Sequence, residues 1–379
     1  MIYFDNAATS FPKPPAVIRK TADCQKHFCG NPGRGAHKLS LAASECVYAC
    51  REKLADLFDA APERVIFTYN TTYALNLAIK SFYSEGAVLI SDLEHNSVRR
   101  PCATLTDDLR IFDSHPELPD GNERDDAILS SIEALSDGVK MLVCTAASNI
   151  VNLTLPIEKI GAFCREKKIL FLVDAAQAAG HFRLSVRDSQ IDALCLPGHK
   201  GLYGPQGTGV LILGENALPS HSFLEGGSGV SSRSLTMPDY PPERFEAGTL
   251  AVPAIAGLSV GLDEIVKIGL DRIAEHEKKL FCRLREYLKK GLGGKITIYE
   301  KERPGSIFLF NIDGIPSEKV AAALDERGFC VRAGLHCSPL AHDRIGTGDG
   351  AVRVSFGIQH TLRETDRLAE AIIAVAEKG

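Results

Sequence analysis

Between about residues 40 and 260 the chain alternates two hydrophobic patterns. Segments with an apolar residue every three or four positions, such as Leu41 to Phe58 and Ile157 to Lys167, predict helices with one buried stripe. Between such segments lie short runs that are apolar nearly throughout: Val65 to Phe67, Ala87 to Ile90, Met141 to Cys144, Ile169 to Val173, Ile191 to Leu196 and Gly209 to Leu213. A strand that is apolar on both faces has to be covered on both faces. The alternation therefore predicts an α/β unit with a mostly parallel sheet and helices on either side. Ligands of such sheets collect at the strand ends. After Pro253 the pattern changes. A long helical stretch from Ala254 to Leu292 leaves that unit, and a smaller α+β arrangement follows. Its strands are predicted near Ser306 to Phe310 and Ala351 to Val354, and its helices near Ser317 to Arg327 and Leu362 to Val375.

Length and composition narrow the class. A chain of 379 residues is long for one core, which predicts two closely associated domains. With 45% hydrophobic and 24% charged residues it belongs with folded globular enzymes and not with disordered chains. The net charge of −5, without any Lys/Arg cluster interleaved with aromatics, argues against nucleic acid as a partner. The start Met1-Ile2-Tyr3-Phe4-Asp5 lacks the basic-then-apolar order of a signal peptide, and no apolar stretch approaches the ~20 residues of a membrane span. A cytoplasmic protein with no membrane contact is expected. The eleven cysteines are scattered and include no Cys-x-x-Cys pair, so neither a disulfide framework nor a metal site is predicted. Cys46 and Cys50 read as packing residues.

Chemistry is concentrated at two places. Asp174 ends the run Ile169 to Val173, where a carboxylate projects from a strand end into a crevice and can hold a pyridinium nitrogen protonated. Lys200 lies 26 residues on, flanked by Gly198, Gly201 and Gly204, which let backbone approach a ligand closely. It is a candidate Schiff-base lysine for pyridoxal 5'-phosphate. Alone, Asp174 would read as a helix cap and Lys200 as a solvated loop charge; the ordered pair favours a cofactor site.

Several motifs then carry a resemblance. Tyr3-Phe4-Asp5-Asn6-Ala7-Ala8-Thr9, Asn31-Pro32-Gly33-Arg34-Gly35-Ala36-His37, Val173-Asp174-Ala175-Ala176-Gln177-Ala178, the stretch Gly198 to Gly207, Arg332-Ala333-Gly334-Leu335-His336-Cys337 and Val352-Arg353-Val354-Ser355 occur in order over nearly the whole chain. Together they resemble the cysteine desulfurases of the class V aminotransferase superfamily, fold type I enzymes dependent on pyridoxal phosphate. The resemblance implies a large domain, residues 15–260, with a seven-stranded type of sheet. It implies a small domain of residues 1–14 and 261–379 that carries the cysteine loop and the carboxylate-binding arginine. It also implies a role for each matching residue. Thr71, Thr72 and His199 would contact the phosphate, His95 would stack on the ring and move protons, and Asn149 and Gln177 would face the ring hydroxyl. Arg353 would anchor the substrate carboxylate, with His37 and Asn149 beside the substrate. Thr249, in Glu246-Ala247-Gly248-Thr249, would cross to the phosphate of the neighbouring subunit in a homodimer.

Cys337 would carry the persulfide, and the compact Arg-Ala-Gly-Leu-His-Cys form is similar to group II desulfurases and selenocysteine lyases. Arg332 and His336 before it are expected to supply positive charge that enriches the thiolate. L-Cysteine or L-selenocysteine is the implied substrate, and a sulfur-acceptor protein the implied partner. One departure stands out: Pro197 occupies the position where the family commonly has a phosphate-binding serine, and proline offers neither hydroxyl nor N–H. The alternatives are a selenocysteine lyase or another carbon–sulfur lyase, a class V aminotransferase, or a non-catalytic sulfur carrier that keeps the fold.

Overall fold

The computed structural model describes residues 1–33, 35–215, 217, 219, 221–299 and 303–378. Strand β1 (Ile2–Tyr3), helix α1 (Pro15–His27) and the long helix α2 (Lys38–Phe58) come first. The apolar runs then become neighbours in one sheet: β2 (Val65–Thr68), β3 (Ala87–Ser91), β4 (Leu109–Phe112), β5 (Val139–Thr145), β6 (Leu170–Asp174), β7 (Ala193–Pro197) and β8 (Gly209–Leu213). Their order is β2-β8-β7-β6-β5-β3-β4. Helices α3 (Thr71–Phe82), α4 (Asn96–Leu105), α5 (Asn122–Leu135) and α6 (Ile157–Lys167) connect them. Every residue of β3, β7 and β8 is buried, as strands covered on both sides require. Alternate residues feed two apolar layers. Leu89, Leu142, Phe171 and Leu194 pack on one face with α2 and α6, and Val88, Met141, Leu172 and Ala193 pack on the other with α3.

The sheet is mostly parallel, as expected, with one strand reversed. β4, β3, β5, β6 and β7 pair in parallel, while β8 runs antiparallel to both β7 and β2. The cause is the link from Pro197 to Gly209, which contains no helix, and a parallel return needs a crossover of a dozen or more residues. That short link is folded on itself by Gly198 N–H to Thr208 O (2.9 Å) and Gly204 N–H to Gly198 O (2.7 Å). Lys200 opens the turn within it, its carbonyl accepting the Tyr203 N–H (2.9 Å).

The predicted long helix is two helices, α7 (Val252–Ile268) and α8 (Leu270–Leu292). Gly269 separates them at φ 88°, a backbone region open chiefly to glycine, and its N–H closes α7 on Ile265 O. The apolar period runs through this glycine without a visible break, which is why periodicity alone joins the two. The smaller arrangement comprises β9 (Ile296–Ile298), β10 (Ile307–Ile312), α9 (Ser317–Asp325), β11 (Phe329–Cys330), β12 (Arg332–Gly334), α10 (Pro339–Ile345), β13 (Ala351–Ser355) and α11 (Leu362–Ala376). β12, β13, β10 and β9 form an antiparallel sheet in that order, and β1 pairs in parallel with β11. Helix α8 spans the two cores: Ile273 belongs to the layer beneath the large sheet, whereas Leu280, Leu284 and Leu288 pack with Phe4, Phe308 and Ile372 over the small one.

Candidate active site

The C-terminal ends of β3, β5 and β6 point to one side of the large sheet, and their following loops wall a cleft. Thr71, Thr72, His95, Asn149, Asp174, Gln177, His199 and Lys200 line it together, around a cavity of about 160 Å³. Asp174 is the last residue of β6 and Lys200 belongs to the β7–β8 link, so two residues distant in sequence face each other because β6 and β7 are neighbours. Thr71 and Thr72 open α3. Asn70 caps the helix by accepting the Tyr73 N–H (2.9 Å), and the first amides of a helix have no intrahelical partner. Those of Thr71 and Thr72 are thus available to an anion, with the helix dipole in favour.

Burial sets the protonation states. Asp174 is 2% exposed, and burial pushes its carboxyl up to about 6, opposed by the Ala176 N–H (2.8 Å) and by Lys200. Lys200 is lowered to about 8, first by burial, against the attraction of Asp174, with Arg353 and Arg332 adding to the depression. Near neutrality its amine lies within reach of both states, as proton transfer requires. His95 caps α4, its Nδ1 accepting the Ser97 N–H (3.1 Å) and lying 2.8 Å from Ser97 Oγ. Burial and the nearby cations Lys200 and Arg332 bring it down to about 4, so the ring is neutral, with its proton on Nε2. His199 is also lowered to about 4, by burial and by Lys200 and Lys13. Its carbonyl receives the Ser10 N–H (3.1 Å) and the Lys13 ammonium (2.6 Å), which clamp the N-terminal segment onto the lysine loop.

This donor set fits pyridoxal phosphate: an anion cup at a helix start, a buried carboxylate for the ring nitrogen, an imidazole for its face and an amine for its carbonyl. Pro197 ends β7 opposite Gly209 and is buried, so it contributes backbone packing and no hydroxyl to that cup.

Cys337 is exposed at the rim, on a tight turn where both His336 (φ 49°) and Cys337 (φ 59°) are left-handed. Asn149 grips the turn from both sides, donating from Nδ2 to His336 O (2.9 Å) and accepting at Oδ1 from Ser338 Oγ (2.7 Å). The Asn96 N–H, next to His95, donates to Cys337 O (2.8 Å). His336 does not carry the positive charge expected of it. It is 4% exposed, and burial next to Arg353 and His342 lowers it to about 2, leaving it neutral. Arg353, on β13, is 1% exposed and engaged by Asp5 (2.7 Å) and Asn149 O (2.9 Å), with its Nε–H unpartnered.

Two candidates lie elsewhere. His37 is an exposed cap of α2, accepting the Ser40 N–H (3.2 Å), and Thr249 is exposed beside a separate cavity shared with Tyr69 and Tyr73. Arg34, in the motif with His37, lies outside the described residues. Sequence reasoning missed Glu94, fully buried between the ends of β3 and β5. It also missed the roles of Arg51 and Glu246, a buried ion pair (2.5 Å) that roots the Thr249 segment against β2 through Glu246 Oε1 and the Phe67 N–H (2.7 Å). Arg51 alone gave a signal, as a charge on the buried stripe of α2 between Cys50 and Leu54, whereas Glu94 and Glu246 stand among polar neighbours. Asp113, His115 and Glu117 also converge, but the Arg344 guanidinium binds Asp113 and Glu117 at 2.6–3.0 Å and balances their charge.

The strand order, the cleft at the parallel strand ends and the lysine–aspartate pair define a class, and residues 2–368 match the family model "Aminotransferase class-V", to which the chain belongs. Within that family it is similar to proteins named "Probable cysteine desulfurase" from Pyrococcus abyssi (32% identical, 97% of this chain, 92% of that one) and Methanothermobacter thermautotrophicus (30%, 100% and 95%). Among solved structures it matches the apo cysteine desulfurase of Thermococcus onnurineus NA1, with a TM-score of 0.87 at 30% identity over 100% of this chain and 95% of that one. It also matches the cysteine desulfurase CsdA of Escherichia coli in its S-sulfonic acid form, with a TM-score of 0.85 at 25% identity over 99% and 94%. The fold is that of the fold type I enzymes. No helix among the described residues is long and apolar enough to cross a membrane.

Proposed function

We propose that this protein is a pyridoxal 5'-phosphate-dependent cysteine desulfurase that converts L-cysteine to L-alanine and holds the sulfur as a persulfide on Cys337. The observation that carries the reading is the tether between the Lys200–Asp174 cleft and an exposed cysteine, made by Asn149 across the cleft wall. Bound at Lys200, the cofactor supplies an electron sink that acidifies the α-proton of an amino acid. Asp174 holds the ring-nitrogen proton, and Thr71, Thr72 and His199 take the phosphate. Arg353, with the free Nε–H, and Asn149 orient the substrate carboxylate. Lys200 Nζ takes up the α-proton, and His95 Nε2–H faces the same space for proton return.

The Cys337 thiolate then attacks the substrate sulfur. A sulfur–sulfur bond forms as the bond from sulfur to the β-carbon breaks, the electron pair stays with carbon, and carbon gains a proton. Alanine leaves, and a sulfur-acceptor protein receives the persulfide sulfur from the exposed, short, group II-like turn. We further read residues 15–260 as the cofactor domain, with 1–14 and 261–379 as the small domain. Thr249, exposed in one chain and rooted by Glu246, serves the phosphate of a second subunit in a homodimer.

Incubation with cysteine and with selenocysteine, with and without reductant, tests this by product. Alanine with a cysteine-derived persulfide on Cys337 supports desulfuration. Alanine and selenide from selenocysteine alone would assign a selenocysteine lyase, and pyruvate with ammonia another lyase.

A further inference from the structure

Behind the Cys337 turn, three polar side chains form a chain of hydrogen bonds that the reaction as proposed does not use. His336 Nε2 faces the Arg332 carbonyl (3.3 Å), His336 Nδ1 faces His342 Nε2 (3.1 Å), and His342 Nδ1 faces Thr347 Oγ1 (2.6 Å). Both rings are buried, stacked with centroids 5.3 Å apart at 11° between planes, and His342 and Thr347 are 0% and 6% exposed.

The direction of every bond follows from its far end. A carbonyl only accepts, so His336 must carry its proton on Nε2, and in a neutral ring Nδ1 is then an acceptor. His342 must therefore donate from Nε2, which makes its own Nδ1 an acceptor for the Thr347 hydroxyl. The opposite direction would set two acceptors against each other at Arg332 O. With His342 donating from Nε2, a second proton on His336 would set two N–H groups face to face, and one on His342 would turn the Thr347 hydroxyl away to the longer contact with His342 O (3.5 Å). Burial beside the Arg353 guanidinium keeps both rings neutral, His336 lowered to about 2 and His342 to about 4.

The chain has a mechanical consequence. His336 and Cys337 adopt adjacent left-handed conformations that non-glycine residues persist in only when their surroundings over-determine them. Asn149 and Asn96 hold the turn from the large-sheet side. From the small-sheet side it is held by the His336 ring. That ring is tied through His342 to Thr347, whose flanking residues Gly346 (φ 79°) and Gly348 (φ 64°) shape the loop leading to β13 and Arg353.

We propose that His342 and Thr347 are positioning residues for the Cys337 thiol, acting through His336 to hold the turn that presents it to the cleft. The kinetic part of this claim rests on the persulfide reading; the structural part does not.

The first measurement is of imidazole nitrogen resonances of the purified, cofactor-bound protein near neutral pH, with His336 and His342 assigned by substitution. Both rings should be neutral with the proton on Nε2, and Thr347→Val should leave the His342 proton on Nε2 while shifting its Nδ1 resonance, because that nitrogen loses its hydrogen bond. A wild-type His342 that is charged, or protonated on Nδ1, overturns the proposal. The second is a comparison of His342→Leu with His342→Gln, whose amide N–H can stand where Nε2–H stood. The leucine variant should lose roughly 10- to 100-fold in kcat for alanine release, as a misplaced reacting group does, with KM for cysteine within about twofold. The glutamine variant should recover most of the loss. Equal loss in both, or loss in neither, overturns the proposal.

If the leucine variant does not fold, Thr347→Val carries the kinetic comparison, with a smaller loss in kcat expected and an unchanged kcat counting against the claim. If the wild type releases no alanine from cysteine, the desulfurase reading fails by itself. Amide hydrogen exchange then decides the positioning claim: exchange at the Ser338 and Asn96 N–H groups should quicken in Thr347→Val, and unchanged protection refutes it.

Discussion

Glu94→Gln separates a buried neutral acid from a buried anion by the pH dependence of stability. Glu94 is 0% exposed; its Oε1 accepts from Ser91 Oγ and from the Thr145 N–H (2.8 Å), and Oε2 has no partner. Burial raises it from 4.5 to about 8; the two hydrogen bonds oppose the shift, and the carboxylates of Asp174 and Asp92 add to it. Below pH 4.5 the folded and unfolded chains both hold this proton, and there the group costs nothing. As pH rises further, the unfolded chain releases the proton while the folded one keeps it, so stability falls until the folded carboxyl titrates near 8. At ~1.4 kcal/mol per pH unit this costs the wild type roughly 3 kcal/mol by about pH 7. Glutamine keeps the acceptor at Oε1 and does not titrate, but its amide brings two N–H donors without partners, a pH-independent cost of about 1–3 kcal/mol. The slope is therefore the readout and the level is not. Urea unfolding should be followed by circular dichroism, because the chain has no tryptophan. The variant's stability relative to wild type should climb by roughly 1 kcal/mol per pH unit from pH 5 upward and level off near pH 8. A constant difference over that range, or a slope of opposite sign, would mean that Glu94 is ionised in the folded protein and that the argument from burial is wrong.

Lys200→Ala should remove the visible absorbance of bound cofactor and all alanine release while leaving the far-ultraviolet circular dichroism unchanged; turnover in that variant would end the cofactor assignment. Cys337→Ser should bind cofactor and cysteine but form no persulfide, because a serine hydroxyl is almost wholly protonated near neutral pH. Mass spectrometry after alkylation should find the extra sulfur on Cys337 in the wild type, and finding it on exposed Cys29 would reassign the carrier. Arg51→Ala leaves Glu246 buried without its ion-pair partner and should cost about 3–5 kcal/mol in thermal unfolding, whereas a loss under ~1 kcal/mol would show that water reaches the pair.

What could be read from one dimension was whatever depends on local pattern. Runs such as Ala193 to Pro197 are apolar at every position because both faces of their sheet are covered, so they announce strands and a layered α/β fold. Asp174 and Lys200 were legible because each lies at the end of such a run, and the motifs around them placed the chain in its family. Order along the chain does not encode which strands become neighbours or which way an unhelical link turns. The antiparallel β8 and the break at Gly269 thus emerged only with the fold. The same holds for the polar groups that meet across it. Asn149 bracketing Cys337, Arg353 shared between Asp5 and Asn149, Glu246 against Arg51, and the His336–His342–Thr347 chain all join or reach across separate elements. His336 is the clearest case. Its place before a cysteine reads as positive charge, and only burial beside Arg353 makes it neutral, because the cost of a charge is set by the solvent and the neighbours that the tertiary structure leaves it.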